Sequence, residues 1–253
     1  MREQSEKTPV SRVRKIYIVR LVMRCAVFLA AALLWLLRRD SFSVLTGLNF
    51  FREFSVLHLL WAAWMLDMIC QLIPVKQYIS LGSQKVFRFR FRPLAEKINM
   101  EALKSHIKAT TRAAYRVMLL WAALILFIGL LCLLRVLGKA ELLLISVAFY
   151  VCDLICVLIW CPFRLIMGNR CCTTCRIFNW DHFMMFSPLI FAGGFYCLSL
   201  FIMSVVVFVA WELCVLLHPE RFWEHTNEAL RCSNCTDKLC TQYCQKLKNA
   251  ERK

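Results

Sequence analysis

Leu142-Leu-Leu-Ile-Ser-Val-Ala-Phe-Tyr-Val-Cys-Asp153-Leu-Ile-Cys156-Val-Leu-Ile-Trp-Cys161-Pro162 follows Glu141 and ends at a proline, with one ionisable carboxylate in its apolar interior. About 20 residues at 1.5 Å rise cross the hydrocarbon core of a bilayer, so the stretch reads as a spanning helix. Its closing phrase has a counterpart in Asp67-Met-Ile-Cys70-Gln-Leu-Ile-Pro74, which also ends an apolar segment. Aspartate at the centre of a spanning helix costs roughly 2.5 to 3.5 kcal/mol on insertion scales, so each of the two calls for a partner, a cavity or a ligand.

Outward from these phrases the chain keeps the same character. It is 60% hydrophobic over 253 residues with only 7 Gly and 6 Pro, too apolar for a soluble domain. Apolar segments at 22–37, 54–73, 117–134, 142–160 and 183–217 predict an all-α fold, a polytopic integral membrane bundle of about five transmembrane helices. The shared phrases, each closing a helix pair and ending in Pro, predict a tandem two-helix hairpin repeat plus a fifth helix. The layout is a basic N-terminal tail (1–20), a first hairpin (21–73), a basic extramembrane region (74–116), a second hairpin (117–162), a Cys-rich connection (163–182), the fifth helix (183–217) and a Cys-rich tail (218–253).

Two spans are irregular. In the first, Arg24 and Arg38 leave a short uncharged core and would have to snorkel. Arg38-Arg39-Asp40 marks it as an uncleaved anchor rather than a secretory leader. The last is overlong and must tilt or project.

The net charge of +16 is spread over the connections. With the N-terminus cytoplasmic and five crossings, nineteen Lys and Arg fall inside and twelve outside, which favours that orientation. Anionic lipids are the expected partner, with a protein partner or a second copy of the chain as further candidates; nucleic acid is the minority reading. Val86-Phe-Arg-Phe-Arg-Phe-Arg92 alternates apolar and basic residues as an extended ribbon would. Leu94, Ile98, Leu103, Ile107 and Ala114 follow helical spacing, which predicts an amphipathic helix entering the third span.

Fifteen cysteines form three populations. Those within spans read as small apolar residues at helix contacts. Cys161, Cys171, Cys172 and Cys175 crowd a connection where Arg164, Arg170 and Arg176 would favour thiolate. Cys232, Cys235, Cys240 and Cys244 have spacing that suits one tetrahedral zinc, while the gaps depart from the usual iron-sulfur run. Disulfides are the alternative if the tail lies outside, where Asn234-Cys-Thr236 would also be a glycosylation acceptor. A single fifth helix would put the two groups on opposite sides of the membrane.

Asp67 with Cys70 and Asp153 with Cys156 each share a helix face at i and i+3, and both helices run in one direction, so the four could meet at one depth. They would bind a soft cation, share a proton, or only join helices. His58, Arg24, Asp181, His182 and Glu212 are additional polar candidates. No phosphate loop, nucleophile elbow or His-Glu-x-x-His is present, so no nucleotide cofactor is expected. The leading expectation is therefore a metal-binding or redox-active thiolate protein. The alternatives are a transporter or channel component that uses the aspartates, and a scaffold that docks partners through its basic region.

Overall fold

The computed structural model describes residues 11–74, 89, 91–94, 99–169, 174–231, 234 and 239. Its helices are α1 (Arg12–Leu37), α2 (Leu57–Leu72), α3 (Met100–Leu133), α4 (Lys139–Leu158), α5 (Phe163–Met167), α6 (Asp181–Phe186) and α7 (Gly194–Leu217), with short 3-10 segments between them. Four of these, α1, α3, α4 and α7, are long and apolar enough to cross a membrane. α2, at 16 residues, is about 24 Å long.

Local chemistry sets the helix ends. Ser11 caps α1 by accepting from the Arg14 N–H, and Asn99 caps α3 by accepting from Glu101 and Ala102. Glu141 in the first turn of α4 accepts from the Gly138 N–H and from Trp35 of α1, which joins the two helices at that end. α3 is one unbroken helix of 34 residues, about 51 Å, so about 20 Å of it extends beyond a hydrocarbon core of about 30 Å. The amphipathic segment and the third span are thus one element. On its extension Leu103, Ala113 and Ala114 are buried, while Lys104, Lys108 and Arg112 are exposed.

The segment expected as one helix over 183–217 is two. Pro188 cannot donate to the Met184 carbonyl, which accepts from the Ser187 hydroxyl instead, and α6 passes into a 3-10 turn, Ser187–Phe191. Gly193 and Gly194 then take φ of +62° and +74°, and the chain reverses into α7. Gly194 lies hard against the Leu45 carbonyl, and Phe195 donates to the Gly47 carbonyl. The start of α7 is therefore at the end of the bundle where α1 finishes, and α7 returns to the end where α1 begins. There Trp211 donates to the Arg176 carbonyl, Trp223 stacks on His106 of α3, and Pro93 bridges Asn227. Leu239 of the tail is buried with Tyr17, Leu154 and Leu158. The described residues of the tail and of the 163–182 connection consequently share one end of the bundle, a correction that follows from the reversal at the glycine pair.

The core lies between α2, α4, α6 and the first half of α7, around Trp64, Leu143, Phe186 and Tyr196. α1 covers it from one side with only Tyr17 and Ala31 buried. Its outward Val22, Leu29, Leu33 and Leu36 are exposed, an apolar stripe that belongs in lipid.

Candidate functional site

The carboxylates of the repeated phrases line one cavity of about 320 Å³ between α1, α2 and α4. Asp67 lies ten residues into α2 and Asp153 fourteen into α4, about 15 and 21 Å from where those helices begin. Both do reach the same space, and each is held by a different partner.

Asp153 Oδ2 accepts from Arg24 Nη1 at 2.6 Å, and the same nitrogen donates to the Tyr150 carbonyl at 2.7 Å. The guanidinium carbon sits 3.8 Å from the centre of the Tyr150 ring. Arg24 therefore does not snorkel; it turns into the bundle, where a carboxylate, a carbonyl and a ring face replace its water.

Asp67 Oδ2 accepts from His182 Nε2 at 3.0 Å. That fixes a proton on Nε2, since a carboxylate only accepts. The other ring nitrogen, Nδ1, has two neighbours at the same distance: Gln71 Nε2, a donor, and Asp181 Oδ1, an acceptor, each at 3.2 Å. Gln71 Nε2 is placed to donate to Nδ1 of neutral His182, whereas Asp181 Oδ1 stands at ion-pair distance from it without a hydrogen bond. The imidazole is 2% exposed, so these neighbours decide its state. Asp67 is 52% exposed, on the cavity.

Arg20, Arg24, Asp67, Asp153 and Asp181 all line the cavity. Three carboxyl groups and two guanidiniums thus face one space.

A second buried pair fixes the connection onto α7. Arg176 donates to both oxygens of Glu212 at 2.7 and 2.5 Å, and Trp180 donates to Glu212 Oε1 at 2.8 Å. Arg176 is 7% exposed and bound to Glu212, so it does not serve the adjacent Cys175 as a free cation. Arg164 donates to the Asn169 carbonyl. His58 is structural as well: its Nδ1 accepts from the Ser55 N–H and its Nε2 lies 2.8 Å from the Phe50 carbonyl, holding the turn into α2.

Of the cysteines expected to hold metal, Cys161 and Cys175 are placed, the latter buried. Cys171, Cys172, Cys232, Cys235, Cys240 and Cys244 lie outside the described residues. Among the described residues no three His, Cys, Asp or Glu side chains converge as a metal site, so Asp67, Cys70, Asp153 and Cys156 do not gather as one donor set. Cys156 faces a different cavity from Asp67. Gln71 and Tyr150 gave no signal in the sequence. Comparison with protein-family models, curated proteins and solved structures found no match.

Proposed function

We propose that this chain is a membrane protein that binds and passes protons at the cavity lined by Asp67, Asp153 and Asp181, with His182 bonded to Asp67 behind it, as a transporter or channel component. The observation that carries the reading is His182, buried behind the cavity, with Nε2 bonded to Asp67 and Nδ1 3.2 Å from both Gln71 Nε2 and Asp181 Oδ1. Arg24 would hold Asp153 in place, and Asp67, open to the cavity, would hand the proton on. Of the cysteines that thiolate-metal chemistry would use, Cys161 and Cys175 are described.

In this reading α2 is a fifth, short crossing, and residues 181–191 return the chain to the opposite end. The hairpins α1–α2 and α3–α4 are a duplicated unit, each closing on an Asp-x-Ile-Cys phrase. The end holding both tails is cytoplasmic. Its connections and tails carry twenty-six Lys and Arg against five at the other end, a wider margin than five crossings would give.

The test is proton flux into liposomes carrying the purified chain and a trapped pH dye, under an imposed potential. Native protein is expected to exceed empty liposomes, with Asp67→Asn, Asp153→Asn and His182→Gln falling to background. Equal, background-level flux in all four samples removes the reading.

A further inference from the structure

A second cavity, of about 260 Å³, lies on the other side of the wall formed by Asp153, Val157, Phe178 and Asp181. Trp121, Phe149 and Phe163 supply aromatic walls, with Trp121 5.0 Å from Phe149 and 6.3 Å from Phe163 between ring centres. The Trp121 ring is fixed by its Nε1, which donates to the Ser187 hydroxyl at 2.9 Å. Cys152, exposed on the spanning part of α4, also lines the space, so the cavity opens toward lipid there.

Asp153, Asp181 and Arg164 are the charged residues of its lining. Arg164 donates to the Asn169 carbonyl, and Asp153 is paired with Arg24 from the first cavity. Asp181 has no Lys or Arg at ion-pair distance among the described residues; its neighbour is the His182 imidazole at 3.2 Å. A carboxyl group without a guanidinium thus stands in a largely aromatic and apolar wall. Ring faces attract cations, and a carboxylate with little water around it does so strongly. A metal ion or a primary ammonium would lose its water there without replacement, and among the described residues no three ligating side chains converge. A cation whose charge is spread over rings needs no such ligands and can arrive through the bilayer. Pockets for drug-sized ligands run to about 300–1,000 Å³, so this one suits a compact cation of about two rings.

We propose that the second cavity binds a compact lipophilic cation, an aromatic ring system with delocalised positive charge, beside Asp181, and that this cation and protons compete for the carboxyl groups of the shared wall. The competition rests on the reading of Asp153 and Asp181 as proton-binding groups. No covalent bond changes except O–H: as the cation enters, a carboxyl proton leaves through the first cavity, and as a proton returns, the cation is released toward lipid.

The test uses the full chain in nanodiscs with radiolabelled 1-methyl-4-phenylpyridinium, a permanent cation that cannot itself carry a proton, and empty nanodiscs as the blank. About one saturable site per chain is expected, with affinity falling about threefold or more from pH 8 to pH 6, since each of two competing ligands displaces the other. Asp181→Asn should weaken binding about tenfold or more by removing the unscreened charge. Asp40→Asn, at an exposed carboxyl near the far end of α1, should leave it unchanged. Because Asp181→Asn can fail by misfolding, the native chain supplies a second readout. Bound cation should slow alkylation of Cys152 by N-ethylmaleimide, located by mass spectrometry, and not that of Cys132, a spanning thiol elsewhere. The proposal is overturned if native protein binds no more cation than empty nanodiscs, if affinity is the same at both pH values, if Asp181→Asn binds as the native chain does, or if Cys152 is not protected. Proton flux without cation binding removes this proposal alone, whereas pH-dependent cation binding without flux removes proton passage and upholds the competition.

Discussion

Arg24 shows at residue scale how a buried charge changes meaning with its surroundings. Its neighbours in sequence are apolar and suggest an arginine reaching for water, yet its side chain is only 13% exposed and bound to Asp153. Removing one member of a buried pair leaves the other unpaired, at about 3–5 kcal/mol, whereas replacing both by apolar groups is often neutral. Arg24→Met is therefore expected to lower the unfolding temperature in detergent strongly, and Arg24→Met with Asp153→Leu to recover most of it. If the double variant is as unstable as the single one, the pair is not what holds α1 to α4. The aspartates were legible in the sequence because a carboxylate in an apolar run is conspicuous. His182 was legible only as a further polar candidate, since Trp180-Asp181-His182 has the composition of a membrane-interface anchor. Its burial depends on where α6 is taken by the residues after it.

At the scale of elements, the decisive one is the break between α6 and α7. Hydropathy is nearly uniform from Phe183 to Leu217, and a hydropathy window cannot see that one carbonyl has lost its donor to Pro188 or that two glycines take positive φ. Both glycine conformations are strained for other residues, by about 1–2 kcal/mol, but the spaces around them differ. At Gly194 a Cβ would overlap the Leu45 carbonyl oxygen and stand 2.9 Å from Gly47 N, both backbone atoms that cannot move aside cheaply. At Gly168, also at φ +62°, a Cβ meets nothing within 4 Å. Gly168→Ala should cost about 1 kcal/mol and Gly194→Ala above about 3 kcal/mol, strain and overlap together. Similar melting of the two variants would argue against the close approach of α7 to the 39–47 segment. The elements that were legible, α1, α2, α3 and α4, are those whose ends are marked by caps, charges or proline as well as by hydropathy.

For the whole molecule, the consequence of that break is topological. α7 returns the tail to the end where α1 begins, and Leu239 packs there against Tyr17 and Leu158. Tags fused before residue 1 and after residue 253 should therefore be cut together by protease added to one side of sealed vesicles. Protection of one tag with cleavage of the other would exclude this arrangement. The sequence by itself determined the class of object, because the solvent preference of long apolar runs is local and additive, and it marked Asp67 and Asp153 as residues in need of partners. Only the tertiary structure decided who those partners are, that the two aspartates share a cavity while each is held by a different side chain, and that residues 218–231 lie at the same end as residues 174–180. Those outcomes depend on a chain reversal set by backbone conformation at Gly193 and Gly194, and such a reversal leaves almost no trace in hydropathy.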